Sequence, residues 1–568
     1  MFKQTLSSKA QILSASQDGA RTPQAEASAE DRDRTNTVIG RRNLWLLLVA
    51  FTLTALVQIV VASRSGLWAD EVFSLAMATG HSLEHPAAAA DPTLGDFVEP
   101  NHPVLAEEFR RYLKHDEPPA SPARIIRAVL LSDTNPPLYY LLVYAWTLIF
   151  GTSDIVLRLF SIVCSLACLP LLVGVARGTG GKGAVFASCV LFAFSPLSIY
   201  YSTEGRMYSL LWLCVLATAW TSLVLQQRGG GSATYVLWTV ASAAGFLTHY
   251  FFIFPWMAMV VFLVMRPGKF ERQRLLACIF VVGLAILPWY LMVPDSLGRW
   301  RVTQGWLKSE PARFDRLRAT SNDFFQFFSG ASILWGYRLR SASAAAIAAL
   351  ALFAVVAAAM AWRLRLRMFH GRRLFLWLWF MAACATPSVV DLLEGTYAAD
   401  YPRYALAGLP AAYLLAAVGF VCLGRRIRAI MLLLILLAWA PNVLSIYRNR
   451  SRSWSPIREI SHAACANNSP SDLILVHSIP SGVLGIARYA EGPVALASWV
   501  GQLGTRQMPE SLHKLAAGRT RIVFVKVHEV REPAPEEDWL HTNAVVFSER
   551  RLATGRIVDF RPINSKTF

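Results

Sequence analysis

Charge is scarce in this chain. Of 568 residues only 16% are charged, against 54% hydrophobic. A soluble globular protein of that length needs far more polar surface, so that class is excluded. Cysteine supplies no framework. The eight cysteines include Cys164, Cys168, Cys189, Cys214, Cys278, Cys384 and Cys422 inside or at the edge of apolar runs, with Cys465 alone in a polar segment. No Cys-x-x-Cys pair or Cys/His cluster occurs, which argues against a disulfide scaffold and a zinc site. The apolar-run cysteines read as small packing residues. A Gly-rich phosphate-cradling loop is missing, as is an internal repeat of the kind that marks many transporters. Residues 1–40 lack the early apolar core of a cleavable signal. Rich in Ser, Ala, Arg and Asp, they read as a disordered cytoplasmic tail.

Long apolar runs are what the chain does have. They recur from Leu44 to Ile446, each near the length that crosses a bilayer as a helix. The fold class is therefore an α-helical polytopic membrane protein. Its runs are 43–63, 155–176, 184–201, 206–225, 233–249, 250–266, 275–293, 341–362, 373–391, 402–423 and 429–447, about 11 transmembrane helices. The run 136–150 is shorter and opens on Pro136-Pro137, so it reads as an interfacial helix. Loop charge supports that reading. With eleven crossings almost every short basic loop falls inside: Arg177 and Lys182; Arg228; Arg266, Lys269, Arg272 and Arg274; Arg363, Arg365, Arg367, Arg372 and Arg373; Arg425, Arg426 and Arg428. The same rule accounts for the net charge of +18 without nucleic acid.

The outer side then receives the loop 64–154, the loop 294–340, the short loop 392–401 and the tail 448–568. Residues 41–447 form the transmembrane domain. In the tail, Asp472–His477, Arg521–Val527 and Ala544–Phe547 are β-branched runs, and 456–466 and 481–490 have helical patterns, so a small α/β domain is expected. The loop 294–340 carries Arg299, Arg301, Lys308, Arg313, Arg316 and Arg318. It reads either as a lid or as a solvated basic loop.

Polar residues cluster on the outer side. Asp70 and Glu71 follow Leu67-Trp68 just past the first crossing and open an amphipathic segment. A carboxylate there can act as general base, worth about 10²–10⁴ in rate. Its neighbour can orient an acceptor, bind a cation or raise the partner's pKa. A plain helix cap is the alternative. Glu204 and Arg206 end and begin two crossings, and ionisable residues at such depths are functional candidates. They bind phosphate and sugar hydroxyls, or they form a capping ion pair. Tyr200, Tyr201 and Tyr208 lie beside them as site or belt residues. His249 sits in a tight turn as a donor to phosphate or a structural histidine. Arg403 and Tyr404 face outward, with Asp400 near enough in sequence to bridge Arg403. Trp68, Trp300 and Trp306 read as an aromatic belt.

Five stretches carry a resemblance. They are Trp68-Ala69-Asp70-Glu71; Asp133-Thr134-Asn135-Pro136-Pro137-Leu138-Tyr139-Tyr140; Arg158-Leu159; Ser195 through Tyr208, containing Tyr201-Ser202-Thr203-Glu204-Gly205-Arg206-Met207-Tyr208; and Arg403-Tyr404. In this order they resemble the dolichyl-phosphate-mannose protein mannosyltransferase superfamily of GT-C membrane glycosyltransferases, whose bacterial branch includes the lipid A aminoarabinose and galacturonic acid transferases. The likeness is closest over 43–265. It implies a polyprenyl-phosphate sugar as donor and an envelope lipid A, polysaccharide, lipid or protein as acceptor. It implies Asp70 as catalytic base with Glu71 as companion, and Glu204, Arg206, Tyr201, Arg403, Tyr404, His249 and Asn135 as substrate-binding residues. Asn135 stands where the family has histidine, and Phe160 where it has proline. The expected setting is the bacterial cytoplasmic membrane, multi-pass, with a periplasmic site and membrane lipids as neighbours. No cofactor is required by the resemblance, and a divalent cation is left open. A transporter or flippase for a lipid-linked glycan is the competing reading, and an assembly subunit a third.

Overall fold

A computed structural model of the chain describes residues 41–568 except 86–89, 134, 300–324, 331–343, 397, 454–455, 528–533, 553–554 and 564–566. The tail 1–40 and the basic stretch with Trp300, Arg301, Trp306, Lys308, Arg313, Arg316 and Arg318 lie outside the described residues. Contacts divide the chain into residues 1–49 and 50–568. The described part of the first unit is the opening of helix Arg41–Arg64.

Among the described residues seven helices are long and apolar enough to cross a membrane: Trp45–Arg64, Asp154–Gly180, Tyr208–Arg228, Arg272–Asp295, Ala344–Phe369, Arg372–Glu394 and Arg425–Arg448. This is a multi-pass membrane protein. A bent pair, Lys182–Phe194 and Pro196–Ser202, is apolar enough together but meets at 57°, the geometry of a broken span or a re-entrant loop. The sequence reads 184–201 as one helix, and Pro196 is the reason it is not. Proline has no N–H for the preceding turn. Ser195 instead takes extended angles, and its hydroxyl accepts the Ser198 N–H at 3.1 Å, capping a new helix. The other expected crossings are shorter helical segments, Ser232–Phe246, Tyr250–Met265 and Leu406–Val421. Outward faces are apolar, with Ile149, Phe280 and Leu393 at 74%, 65% and 79% exposure, surfaces suited to lipid rather than water.

The short basic loops meet each other. Arg372 Nη1 donates to Gly178 O at 3.2 Å, Arg428 Nη1 to Gly183 O at 3.4 Å, and Lys269 N–H to Gln226 O at 3.2 Å. The helix Leu138–Phe150 bridges the first polar loop and the ends of two membrane helices. Its first N–H donates to Leu247 O at 2.9 Å, Tyr144 donates to Ala120 O at 2.6 Å, and Trp146 Nε1 donates to Val156 O at 2.9 Å.

The tail forms a sheet with strand order β1-β3-β2-β4-β6-β5. β2 (Asp472–His477), β3 (Ala495–Trp499) and β4 (Arg521–Val527) are parallel. β5 (Ala544–Leu552) and β6 (Gly555–Pro562) add an antiparallel hairpin. β1 (Val104–Leu105) does not belong to the tail. It comes from the first loop and pairs antiparallel with β3. The α/β unit read at 448–568 is thus completed by residues of 64–154. β2 is buried along its whole length, as continuous apolar strands of parallel sheets are. Leu473, Leu475, Phe524, Leu540, Val558 and Phe560 form its core.

Candidate active site

The site is built on the helix Ala69–Ala78. Trp68 precedes it with extended angles, and its N–H donates to Glu71 Oε2 at 3.2 Å, so the acidic residues sit in the first turn, where the helix dipole favours them. Gly80, at φ +92°, ends the run. Val72, Leu75, Ala76 and Met77 are fully buried beneath it. Successive helical residues point about 100° apart, so the two carboxylates diverge.

Glu71 points inward and is fully buried. Arg158 Nε donates to its Oε1 at 2.7 Å and Nη2 to its Oε2 at 2.5 Å, and the Gly205 N–H donates to Oε1 at 2.7 Å. Arg158 spends its remaining donors on the carbonyls of Ala62, Ser65 and Gly66 at 2.7–2.8 Å. Glu71 thus faces Arg158 and Gly205 rather than the side of the helix on which Asp70 lies. Its lone pairs are committed to holding the helix start against the membrane helices.

Asp70 points the other way and keeps 28% of its side chain exposed. Arg403 Nη1 lies 3.5 Å from its Oδ2. Burial pushes the Asp70 carboxyl above the ordinary range, with Arg206 and Arg403 pulling against that rise and Asp133 and Glu71 adding to it. A carboxylate tuned upward is a better proton acceptor near neutral pH.

Arg206 is the hub of the cluster and is 5% exposed. Its Nη1 meets Asp133 Oδ2 at 3.0 Å, Ser74 Oγ at 3.1 Å, Asp70 O at 3.4 Å and Tyr140 Oη at 3.5 Å. Tyr140 donates to Asp133 in turn. Burial would raise Asp133, but Arg206, Tyr140 and Asn135 together hold it below the usual carboxylate range. Asn135 therefore reaches the cluster through Asp133. Arg206 forms an ion pair with Asp133. Glu204 is 2% exposed and acts electrostatically on Tyr201 and Tyr208. Tyr201 packs edge-on against Tyr208 at 4.9 Å between ring centroids.

Arg403 is held from behind. Trp212 Nε1 and Trp379 Nε1 donate to the carbonyls of Leu406 and Ala407, each at 2.8 Å. Asp391 accepts from the N–H groups of Ala398 and Ala399 at 2.7 and 2.8 Å. The loop so fixed stacks the guanidinium over Tyr401 and Tyr404, 5.1 and 5.3 Å from their ring centroids. Arg403 thus pairs with Asp70, and the side chain of Asp400 lies outside the described residues. His249 stands between Tyr208 and Tyr404, at 6.2 and 6.4 Å. Burial, with Arg206 and Arg403 behind it, pushes its imidazole down to about 3. It is neutral at physiological pH and offers a hydrogen bond rather than a charge.

Asp70, Arg206, Arg403, Tyr404, His249, Tyr201, Glu204 and Asn135 therefore gather in one neighbourhood. Asp133, Tyr140 and Arg158 entered the sequence reading only as motif letters, and Ser74 was not singled out. The available signal was that a buried charge needs a partner. Among the described residues no three or more His, Cys, Asp or Glu side chains are grouped as metal ligands. Chemically, two guanidinium groups fit a phosphate, and a desolvated carboxylate beside them fits proton acceptance.

Residues 134–292 match the family model of dolichyl-phosphate-mannose-protein mannosyltransferases. Two crystal structures of ArnT from Cupriavidus metallidurans are similar to the chain. The apo form has a TM-score of 0.56 at 13% identity, covering 90% of this chain and 97% of that one. The form bound to undecaprenyl phosphate has a TM-score of 0.56 at 14% identity, covering 92% and 99%. No curated protein sequence matches the chain. The resemblance read from the motifs is supported by that family model over 134–292, and the chain shares its fold with the two ArnT structures.

Proposed function

We propose that the chain transfers a sugar from a polyprenyl-phosphate donor to an envelope acceptor, at the periplasmic face of the bacterial cytoplasmic membrane. The observation that carries the reading is the convergence of Asp70 with Arg206 and Arg403 from segments distant in sequence. Similarity to ArnT, whose structure holds undecaprenyl phosphate, supports the donor class.

The reaction follows from the charges. An acceptor hydroxyl attacks the anomeric carbon as the bond from that carbon to the phosphate oxygen breaks. Its proton passes to Asp70. Negative charge grows on the leaving polyprenyl phosphate, and Arg206 and Arg403 stabilise it there. Attack opposite the leaving group inverts the anomeric centre. Tyr201, Tyr404 and neutral His249 bind the sugar and phosphate by hydrogen bonds and ring contact. Glu204 accepts from sugar hydroxyls. A flippase would place its ionisable groups along a path through mid-membrane; here they collect at helix ends and in loops.

Asp70→Asn tests the reading. In lipid nanodiscs with a panel of undecaprenyl-phosphate pentoses and hexoses, the variant loses about 10²–10⁴ in transfer rate. Transfer at the wild-type rate by a folded variant removes Asp70 as base.

A further inference from the structure

The tail has no motif of its own, yet it reaches the strand of backbone that enters the Asp70 helix. Tyr489, the last residue of helix Pro480–Tyr489, lies against residues 66–67. Its hydroxyl accepts the Leu67 N–H at 2.6 Å and donates to Asp154 Oδ2 at 2.5 Å. Leu67 is fully buried, so that N–H has no water to turn to. The tyrosine is itself fixed. Arg458 lies over its ring at 4.8 Å and also holds Asp154 Oδ2 at 2.9 Å. Arg488 grips Asp154 Oδ1 at 2.8 Å and Thr152 O at 2.8 Å. The body of the same helix packs on Ala69–Ala78. An added Cβ at Gly485 would touch Val72 of that helix at an ordinary contact distance of 3.7 Å and would crowd Ile457 at 2.8 Å.

The entry segment 65–68 is therefore held from two sides. Arg158 takes the carbonyls of Ser65 and Gly66, and Tyr489 takes the N–H of Leu67. We infer that Tyr489 is a positioning residue for Asp70: the tail sets the depth and angle of the helix that carries the base. The inference rests on the reading of Asp70 given above. Tyr489 touches no substrate. It acts through the Leu67 amide and the helix that follows.

Tyr489→Phe isolates the hydroxyl, since the ring and its contact with Arg458 remain. With the same panel of undecaprenyl-phosphate sugars, kcat falls about 10- to 100-fold, the cost of a small misplacement at a reacting centre, while the donor KM is unchanged. Amide exchange at 66–72 quickens, and exchange in β2 and β4 stays slow. Glu99→Gln is the control. Glu99 joins the tail to the same loop elsewhere, accepting the Val500 N–H at 2.9 Å beside Arg506. That variant keeps the wild-type kcat. Wild-type kcat in Tyr489→Phe overturns the inference. So does an equal loss in Glu99→Gln, which would make the tail a general prop. Activity retained by Asp70→Asn would instead overturn the reading beneath it, and an inactive Asp70→Asn with a normal Tyr489→Phe would overturn this inference alone.

Discussion

Arg158 and Glu71 form a bidentate ion pair in which neither side chain is more than 1% exposed. The pair joins the second long membrane helix to the helix that carries Asp70. It explains why two adjacent carboxylates have opposite fates. One is buried and spent on structure, and the other is left at the surface of the cluster.

Breaking the pair from one side leaves a charge in a dry site. Arg158→Met is expected to cost about 3–5 kcal/mol. The double variant Arg158→Met/Glu71→Leu removes both charges and recovers part of the loss. Thermal unfolding in detergent measures both. A single variant as stable as the parent would contradict the buried-pair assignment.

Acid should silence the site. Asp70 accepts a proton only when ionised, and burial raises its pKa. The rate therefore falls as pH drops through the raised value, and the acid limb of kcat lies above the ordinary aspartate value of 3.8. Arg403→Met removes a cation that pulls the pKa down, so it moves the limb further up. A pH–kcat profile checks this, and a limb at or below the ordinary value contradicts it.

Arg403→Lys keeps the charge but loses the planar group stacked on Tyr401 and Tyr404. Binding of undecaprenyl phosphate should weaken about 10- to 100-fold, the worth of one hydrogen bond to a charged group. Intrinsic tryptophan quenching on titration with that lipid measures it. Equal affinity would take Arg403 away from the phosphate.

Gly205 donates to Glu71, and a Cβ at this position would lie 2.6 Å from Leu157 Cγ. Gly205→Ala should cost about 1–3 kcal/mol through overpacking. Adding Leu157→Ala makes room and returns much of it. Unfolding of the four proteins of this double-mutant cycle reads the coupling; additive losses would contradict the contact.

Much of this was legible in residue order. Apolar runs announced the helices, because a bilayer demands length and hydropathy. The bend at Pro196 was readable in principle from proline chemistry. Asp70, Arg206 and Arg403 stood out as charges at helix ends. Asp133 and Arg158 did not, since their meaning lies in partners separated by 73 and 87 positions. In the tail, strands at Asp472 and Arg521 were plain, while β3 and β6 were missed and β5 was cut short at Phe547. β5 is exposed on both faces beyond Ala544, so Ser548-Glu549-Arg550-Arg551 carries no alternation to read. β1 is too short for any pattern, and only its pairing with β3 defines it.

That two-residue strand also has a date. The ribosome makes Val104 and Leu105 early and their partners Leu496 and Ala495 only after all the membrane helices. Tyr489 arrives equally late for Leu67. A chain not yet made past its membrane helices can enter the bilayer, yet its early loop waits for a domain made later. On the proposed reading, insertion of the helices and assembly of the site are then separate events, the second waiting on the tail.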